Sequence, residues 1–241
     1  MPRSRPQKGI DRRRADTPEE VRSILAELDR VLNEKDEEGR RISNAKFGIY
    51  AFYDYDGEPI YVGQTAEKLR SRISRHLTNQ RTDAVAMNVL DPFEVAEIEM
   101  WPFWDLEKED ANSAKVKNTL NSAEYTVFQT LLKGSFFKAV LNEVPISKAP
   151  LVKLPKSLRH RVVPGQIYER RKHPDVRIAR RASTIAKLAE VISERAVQAG
   201  LRSTLVVQAR RLKHLAELRL KETNGHAQSV ENGKRVEQTD D

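Results

Sequence analysis

Six polar side chains in the first 142 residues offer acid–base, charge-neutralising and cation-binding groups. They are, in chain order, Tyr50, Tyr61, Arg72, His76, Glu124 and Asn142. Tyr50 ends the tripeptide GIY and Tyr61 begins the tripeptide YVG, eleven residues later. Arg72 and His76 are four residues apart, so that on a helix both side chains project from one face. Glu124 interrupts an otherwise apolar helical segment, and Asn142 ends the short run FFKAVLN.

Other catalytic chemistries have few residues to use. The 241 residues include no cysteine and five scattered histidines, which excludes disulfides, thiolate zinc sites, iron–sulfur clusters and cysteine nucleophiles. The sequence contains neither His-Glu-x-x-His nor a glycine-rich phosphate loop. No apolar run reaches the roughly 18 residues of a membrane-spanning helix. We therefore expect a cytoplasmic protein that does not associate with membranes.

The elements around these side chains predict a small antiparallel sheet flanked by helices, an α+β fold. Residues 46–62 predict a β-hairpin, with a turn at 54–57. Helical periodicity predicts helices over 67–78 and 114–132. A third strand is predicted over 93–101, where Ala96, Ile98 and Met100 face one way and two glutamates the other. Together these elements predict a three-stranded sheet.

The flanking segments divide the rest of the chain. Residues 1–43 are predicted to hold a basic arm over 1–15 and, after the helix-start signal Thr17-Pro18-Glu19-Glu20, a helix to about Asn33. Residues 44–147 form the expected catalytic domain. Residues 148–221 are predicted to hold an irregular linker, because 145–177 has five prolines, and then helices over 182–198 and 201–221 separated at Gly200. Residues 222–241 are expected to be disordered.

Positive charge is concentrated in one of these segments. The whole chain carries a net charge of +8, but residues 148–221 contain 19 basic and 5 acidic side chains, whereas residues 44–147 contain 11 and 15. Such a concentration is typical of a polyanion-binding segment, although a solvated basic helix surface would have the same composition. Ten candidate phosphate contacts follow, with His160 beside them. They are Arg159, Arg161, Arg170, Arg171, Lys172, Arg180, Arg181, Arg210, Arg211 and Lys213.

The ordered set of polar residues resembles the GIY-YIG nuclease family over about residues 44–145. Within that family, the organisation of this chain most resembles that of restriction-type or stand-alone endonucleases. The spacing from Tyr50 to Tyr61, Arg72 before an apolar residue, and His76 four positions later match the family pattern. The second tripeptide is YVG rather than YIG. Arg70 competes with Arg72 for the catalytic position, and the acidic stretch 105–110 has no place in the pattern.

The resemblance implies a Mg²⁺-dependent endonuclease, with Mn²⁺ as an alternative ion. Glu124 would hold the metal, and Arg72 would neutralise the phosphate with its planar fork. Tyr50 and His76 together would deprotonate the attacking water, without a choice between them. Tyr61 would orient the water or the phosphate, and Asn142 would form hydrogen bonds within the site.

DNA is the expected substrate, with double-stranded DNA favoured and single-stranded DNA as the alternative. A compact nuclease with a basic extension favours a role in restriction or phage defence over homing or repair. Cutting both strands with one site per chain favours a homodimer. The rival interpretation is a non-catalytic nucleic-acid-binding module on a nuclease scaffold.

Overall fold

The computed structural model describes residues 18–77, 91–142, 145–194 and 199–237. Its α-helices and strands are, in chain order, α1 (Glu19–Leu32), β1 (Gly48–Tyr53), β2 (Pro59–Thr65), α2 (Leu69–Leu77), β3 (Glu97–Pro102), α3 (Ala114–Gly134), β4 (Leu158–Arg161), α4 (Gly165–Lys172), α5 (Pro174–Glu194) and α6 (Ala199–Glu237). Short 3-10 turns occupy Ile42–Asn44, Pro92–Glu94 and Trp104–Leu106. The predicted basic arm, residues 1–15, lies outside the described residues.

The predicted α+β fold class is confirmed. The strands form one antiparallel sheet in the order β2-β1-β3-β4, with the hairpin β1–β2 at one side and β3 paired to the other edge of β1. Asp54 closes the hairpin turn, because one oxygen of its carboxylate accepts hydrogen bonds from the backbone N–H groups of Asp56 and Glu58 at 2.9 and 3.0 Å. Gly57 adopts a φ of +75°, which favours glycine there.

Apolar side chains cover both faces of the sheet. On one face, Tyr50, Phe52 and Ile98 pack with the apolar stripes of α1 and α2. On the other face, Ile49 and Val62 pack with the buried stripe of α3, whose members are Val116, Leu120, Ala123 and Val127. Strand β1 is therefore buried along its whole length, and the helices that carry candidate site residues are held on opposite faces.

The segment predicted to be an irregular linker, residues 145–177, is partly ordered into regular structure, and that prediction was wrong. Its residues Leu158–Arg161 form the fourth strand, paired antiparallel with β3. Pro164 immediately precedes α4 and Pro174 is the first residue of α5. Proline lacks an N–H that the first turn of a helix leaves unpaired, so these two prolines begin helices instead of interrupting them.

The two C-terminal helices are longer than the periodicity indicated. Helix α5 begins at Pro174 rather than at 182, and Gly200 lies inside α6, which begins at Ala199. Helix α6 continues to Glu237, beyond the end predicted at residue 221. None of the helices in the described ranges is long and apolar enough to cross a membrane.

Buried ion pairs dock α5 and α6 onto the hairpin turn. Arg181 donates to Asp54 Oδ2 at 2.7 Å and to Glu94 Oε2 at 3.3 Å. Arg177 forms two hydrogen bonds to Asp56, at 2.6 and 2.7 Å. Arg211 donates to the backbone oxygen of Pro59 at 2.8 Å. All three arginines are at most 5% exposed. The basic helices are thus joined to the acidic end of the sheet.

The Asp54 carboxylate can be tested without disturbing the turn. In Asp54→Asn the amide oxygen still accepts the turn hydrogen bonds, but the arginines lose a buried negative charge. We expect the free energy of unfolding in urea to fall by about 3–5 kcal/mol. The matched control is Glu27→Gln, which breaks the exposed pair with Arg30 and should cost less than about 1 kcal/mol. Equal effects in the two variants would contradict the structural role of the network.

Candidate active site

The hairpin brings the two tyrosines onto one face of the sheet. Tyr50 lies opposite Gly63 in the strand register and Phe52 lies opposite Tyr61, so both phenol rings face the same side, with centroids 5.9 Å apart. A Cβ atom at Gly63 would lie 2.6 Å from the hydroxyl oxygen of Tyr50. The glycine of the second tripeptide therefore provides the space that the Tyr50 hydroxyl occupies.

Helix α2 places Arg72 and His76 on these tyrosines. Nε of Arg72 donates to the Tyr50 hydroxyl oxygen at 3.3 Å, and Nε2 of His76 lies 3.0 Å from the same oxygen. Arginine has no acceptor, so the Tyr50 O–H is available to donate to His76. The ring of Tyr61 lies 5.0 Å from that of His76 and 5.9 Å from that of Tyr50. These four side chains form one cluster.

The cluster has a buried part and an accessible part. Tyr50 is fully buried and His76 is 3% exposed, whereas Tyr61 and Arg72 are half-buried. Burial, with a smaller contribution from neighbouring Tyr61, raises the pKa of Tyr50 far above its ordinary value, although Arg72 opposes the shift. Tyr50 therefore keeps its proton at neutral pH, and a ligand reaching this surface would first meet Tyr61 and Arg72.

Glu124 approaches the edge of β2 from the other face of the sheet. Gln64, on β2, donates from its side-chain nitrogen to Glu124 at 3.1 Å and to Asn121 at 2.8 Å. Burial raises the pKa of Glu124 to about 7, while the Gln64 hydrogen bonds and the positive charge of Arg72 oppose the shift. Helix α3 and helix α2 thus bring a carboxylate and a guanidinium to the same strand edge.

The single carboxylate of Glu124 suits a hard cation that is held by few protein ligands. Within the described ranges no group of three or more His, Cys, Asp and Glu side chains could hold a metal ion. Mg²⁺ is commonly held by one or two carboxylates and retains several waters, so a single carboxylate fits it. A cation would also offset the cost of burying the Glu124 charge.

Asn142 is bound to the backbone at this edge. Its side-chain nitrogen donates to the Val62 carbonyl at 2.7 Å, and its side-chain oxygen accepts from the Val62 N–H at 3.2 Å. Both ends of the amide are therefore bound to the backbone next to Tyr61. Arg70 points elsewhere: it pairs with Asp29 at 2.9 Å and with the end of α1. Of the two competing arginines, the structure places Arg72 beside the tyrosines.

Comparison with known proteins agrees with this geometry. Residues 46–126 match the family model of the GIY-YIG catalytic domain. The matched range includes Tyr50, Tyr61, Arg72, His76 and Glu124. The chain carries a GIY-YIG domain. Members of the GIY-YIG nuclease superfamily act on nucleic acid and generally depend on a divalent metal. No curated protein and no solved structure matches the chain.

The acidic stretch that the family pattern did not place connects β3 to α3 in the GIY-YIG domain. Glu107 accepts a hydrogen bond from the backbone N–H of Lys46 at 2.7 Å, and the carbonyl of Glu109 accepts one from the Lys46 ammonium at 3.3 Å. These contacts fix the chain just before β1, so the stretch supports the first tyrosine from a distance.

The basic residues beyond the GIY-YIG domain divide by burial. Arg171, Arg181 and Arg211, which the sequence predicts as phosphate contacts, are at most 5% exposed and are paired inside the protein. His160 pairs with Glu34 at 2.9 Å. Arg180 is half-buried, with its guanidinium over the ring of Phe93. The remaining candidates are exposed. They are Arg159, Arg161, Arg170, Lys172, Arg210 and Lys213.

Two residues important to this arrangement were missed by sequence reasoning. Gln64 follows the YVG tripeptide on β2, and its outward position in the strand alternation could have indicated contact with a helix on that face. Arg177 lies in the segment predicted to be irregular, so no helical face was available from which to infer its burial.

The Glu124 carboxyl should titrate near pH 7 in the metal-free protein. We expect carbon-detected NMR of labelled glutamate carboxyls to show this midpoint, against an ordinary value of 4.5. The Gln64 hydrogen bonds favour the ionised form, so Gln64→Ala should move the midpoint upward. Because a proton and a cation compete for this carboxylate, cation binding should weaken as the pH falls through 7. A Glu124 midpoint near 4.5 would contradict the described environment.

Proposed function

We propose that this protein is an endonuclease that hydrolyses DNA phosphodiester bonds in the presence of Mg²⁺, with Mn²⁺ able to substitute. The observation that carries the proposal is the convergence of Tyr50, Tyr61, Arg72 and His76 with Glu124 at the edge of β2. These groups provide what phosphodiester hydrolysis requires: neutralisation of phosphate charge, positioning of a water and acceptance of its proton.

Arg72 and Tyr61 are the groups that would contact the substrate. Both are half-buried at the surface of the cluster. The hydrogen bond from Nε to Tyr50 fixes the plane of the Arg72 guanidinium, whose fork matches two phosphate oxygens. Tyr61, whose ring packs 5.9 Å from that of Tyr50, would orient the water or the scissile phosphate.

The Tyr50–His76 pair would act as the base from beneath the surface. Tyr50 alone is a poor base at neutral pH, because burial raises the pKa of its phenol. Its hydroxyl lies within hydrogen-bond distance of His76 Nε2, so a proton taken from water through the tyrosines would come to rest on His76. This assignment gives the two members of the pair different roles, relay and acceptor.

Glu124 would hold the metal ion, and Gln64 would orient the carboxylate for it. A Mg²⁺ ion bound there would supply Lewis-acid stabilisation of charge on the phosphate and the leaving oxygen. Asn142 would support the site indirectly, by fixing the backbone that carries Tyr61.

The exposed cations of the C-terminal region support binding of duplex DNA. Arg161 and Lys172 both lie over the ring of Tyr168, at 3.7 and 5.8 Å from its centroid. Such surface charges supply affinity by displacing counterions from the phosphate backbone. One active site per chain favours a homodimer for cutting both strands. The close docking of α5 and α6 favours a compact restriction or phage-defence enzyme over a nuclease on a long tether.

The catalytic assignment is tested with supercoiled plasmid and Mg²⁺. Tyr50→Phe removes the hydroxyl that links Arg72 to His76, and we expect the cleavage rate to fall roughly 10²- to 10⁴-fold with DNA affinity unchanged. Glu124→Gln should abolish the metal dependence together with the activity. Tyr125→Phe, one residue beyond Glu124 on α3, is the matched control and should cleave normally. Binding without cleavage by the unaltered chain, with every metal tried, would instead favour the non-catalytic binding module.

The role of Arg161 and Lys172, the two cations over Tyr168, is tested through the salt dependence of DNA binding. In Arg161→Gln/Lys172→Gln we expect weaker duplex binding and a slope of log K against log salt that is smaller by about 1.8, since each lost phosphate contact contributes about 0.9. Arg30→Gln/Arg40→Gln removes two exposed charges from the N-terminal region and serves as the control. An unchanged slope in the first variant would place the DNA on another surface.

A further inference from the structure

A groove beside the active site combines apolar walls with positive charge. It has a volume of about 450 Å³ and lies between α3, the loop 135–142 and the first turns of α6. Phe128, Leu132 and Phe137 form much of its wall, and Lys138 and Arg210 are its charged lining residues. No carboxylate of the described residues lines it. This lining suits a ligand with flat apolar groups and negative charges.

The groove adjoins the catalytic edge of the sheet. Asn142 lines it and is hydrogen-bonded to Val62, the residue after Tyr61. The loop runs beside β2, since Leu141 N–H donates to the Ile60 carbonyl at 2.9 Å and the Phe136 N–H donates to the Glu58 carboxylate at 2.8 Å. From residue 58 to residue 62 a strand spans about 13 Å.

An exposed aromatic stack stands at the far end of this loop. Phe136 is 67% exposed. Its ring lies 4.8 Å from that of His214 on α6 and 5.0 Å from that of Phe137. The Glu58 carboxylate accepts from both the Phe136 N–H and the Ser135 hydroxyl, at 2.8 and 2.7 Å. Single-stranded nucleic acids stack their bases on exposed aromatic rings that accompany a positively charged groove.

We propose that this groove binds an unpaired strand extending from the duplex that the active site cuts. A base stacks on Phe136 and His214, while Lys138 and Arg210 contact the phosphates. The inference depends on the proposed function, because it takes the ligand of the groove to be the same nucleic acid. It assigns the substrate class as a duplex with an unpaired flank, and it makes Phe136 a specificity-determining residue.

The test uses the full chain carrying Tyr50→Phe, so that binding is measured without cleavage. Three fluorescent DNAs of equal duplex length are compared: one blunt, one with a ten-nucleotide 5′ tail and one with the same tail at the 3′ end. We expect tighter binding of one tailed DNA than of the blunt duplex. Phe136→Ala should weaken binding of that tailed DNA roughly 5- to 100-fold and remove the preference, whereas Phe136→Trp should retain it.

Leu151→Ala is the matched control, because Leu151 is an exposed apolar residue, at 64%, that neither lines the groove nor contacts the aromatic stack beside it. Equal binding of blunt and tailed DNAs would overturn the inference, as would a preference that persists in Phe136→Ala or an equal loss of all three DNAs. Plasmid cleavage by the chain with Tyr50 intact reports on the proposed function separately. Cleavage by Phe136→Ala at the normal rate, with no tail preference in the parent, would refute the groove while leaving the nuclease assignment standing.

Discussion

The buried arginine–carboxylate network at the hairpin turn is the interaction on which the arrangement of this molecule depends. Asp54 closes the turn between the two tyrosine-bearing strands and also accepts from Arg181 of α5. Arg211 of α6 binds the first residue of β2 through a backbone carbonyl. Burying a charged group away from water costs free energy unless the group is paired. These ion pairs therefore hold the C-terminal helices in one fixed position relative to the hairpin. The groove between α3 and α6 exists only because that relation is fixed.

Sequence reasoning succeeded where local patterns determine structure. The turn residues 54–57 predicted the hairpin, and the tyrosine, arginine and histidine spacing predicted side chains that the structure brings together around Tyr50. Residue spacing could not show that both ends of the Asn142 amide form hydrogen bonds with the backbone of Val62. Those hydrogen bonds depend on which loop covers the edge of β2. The apolar neighbour of Arg72 and its spacing to His76 favoured Arg72 over Arg70, and the two arginines, which lie two residues apart, face different elements.

The basic C-terminal region shows the opposite case. Its composition predicted a phosphate-binding surface, yet Arg177, Arg181 and Arg211 neutralise the carboxylates of the hairpin turn and of the turn before β3. The net charge of a segment does not distinguish buried side chains from exposed ones. An excess of arginine can therefore supply both internal ion pairs and external binding groups. The acidic balance of the catalytic domain was the complementary signal, because unpaired carboxylates at a turn require cations from elsewhere.

The loop that carries Asn142 has a consequence for how copies of this chain could associate. Sheets with open borders invite strand addition from a neighbouring molecule, but here Leu141 and Asn142 already satisfy the backbone of β2 along its outer side. The opposite border, β4, presents Arg159 and Arg161, whose like charges would repel those of an identical strand. Continuous sheets across two copies are disfavoured at both borders, which leaves the helical surfaces to mediate any self-association.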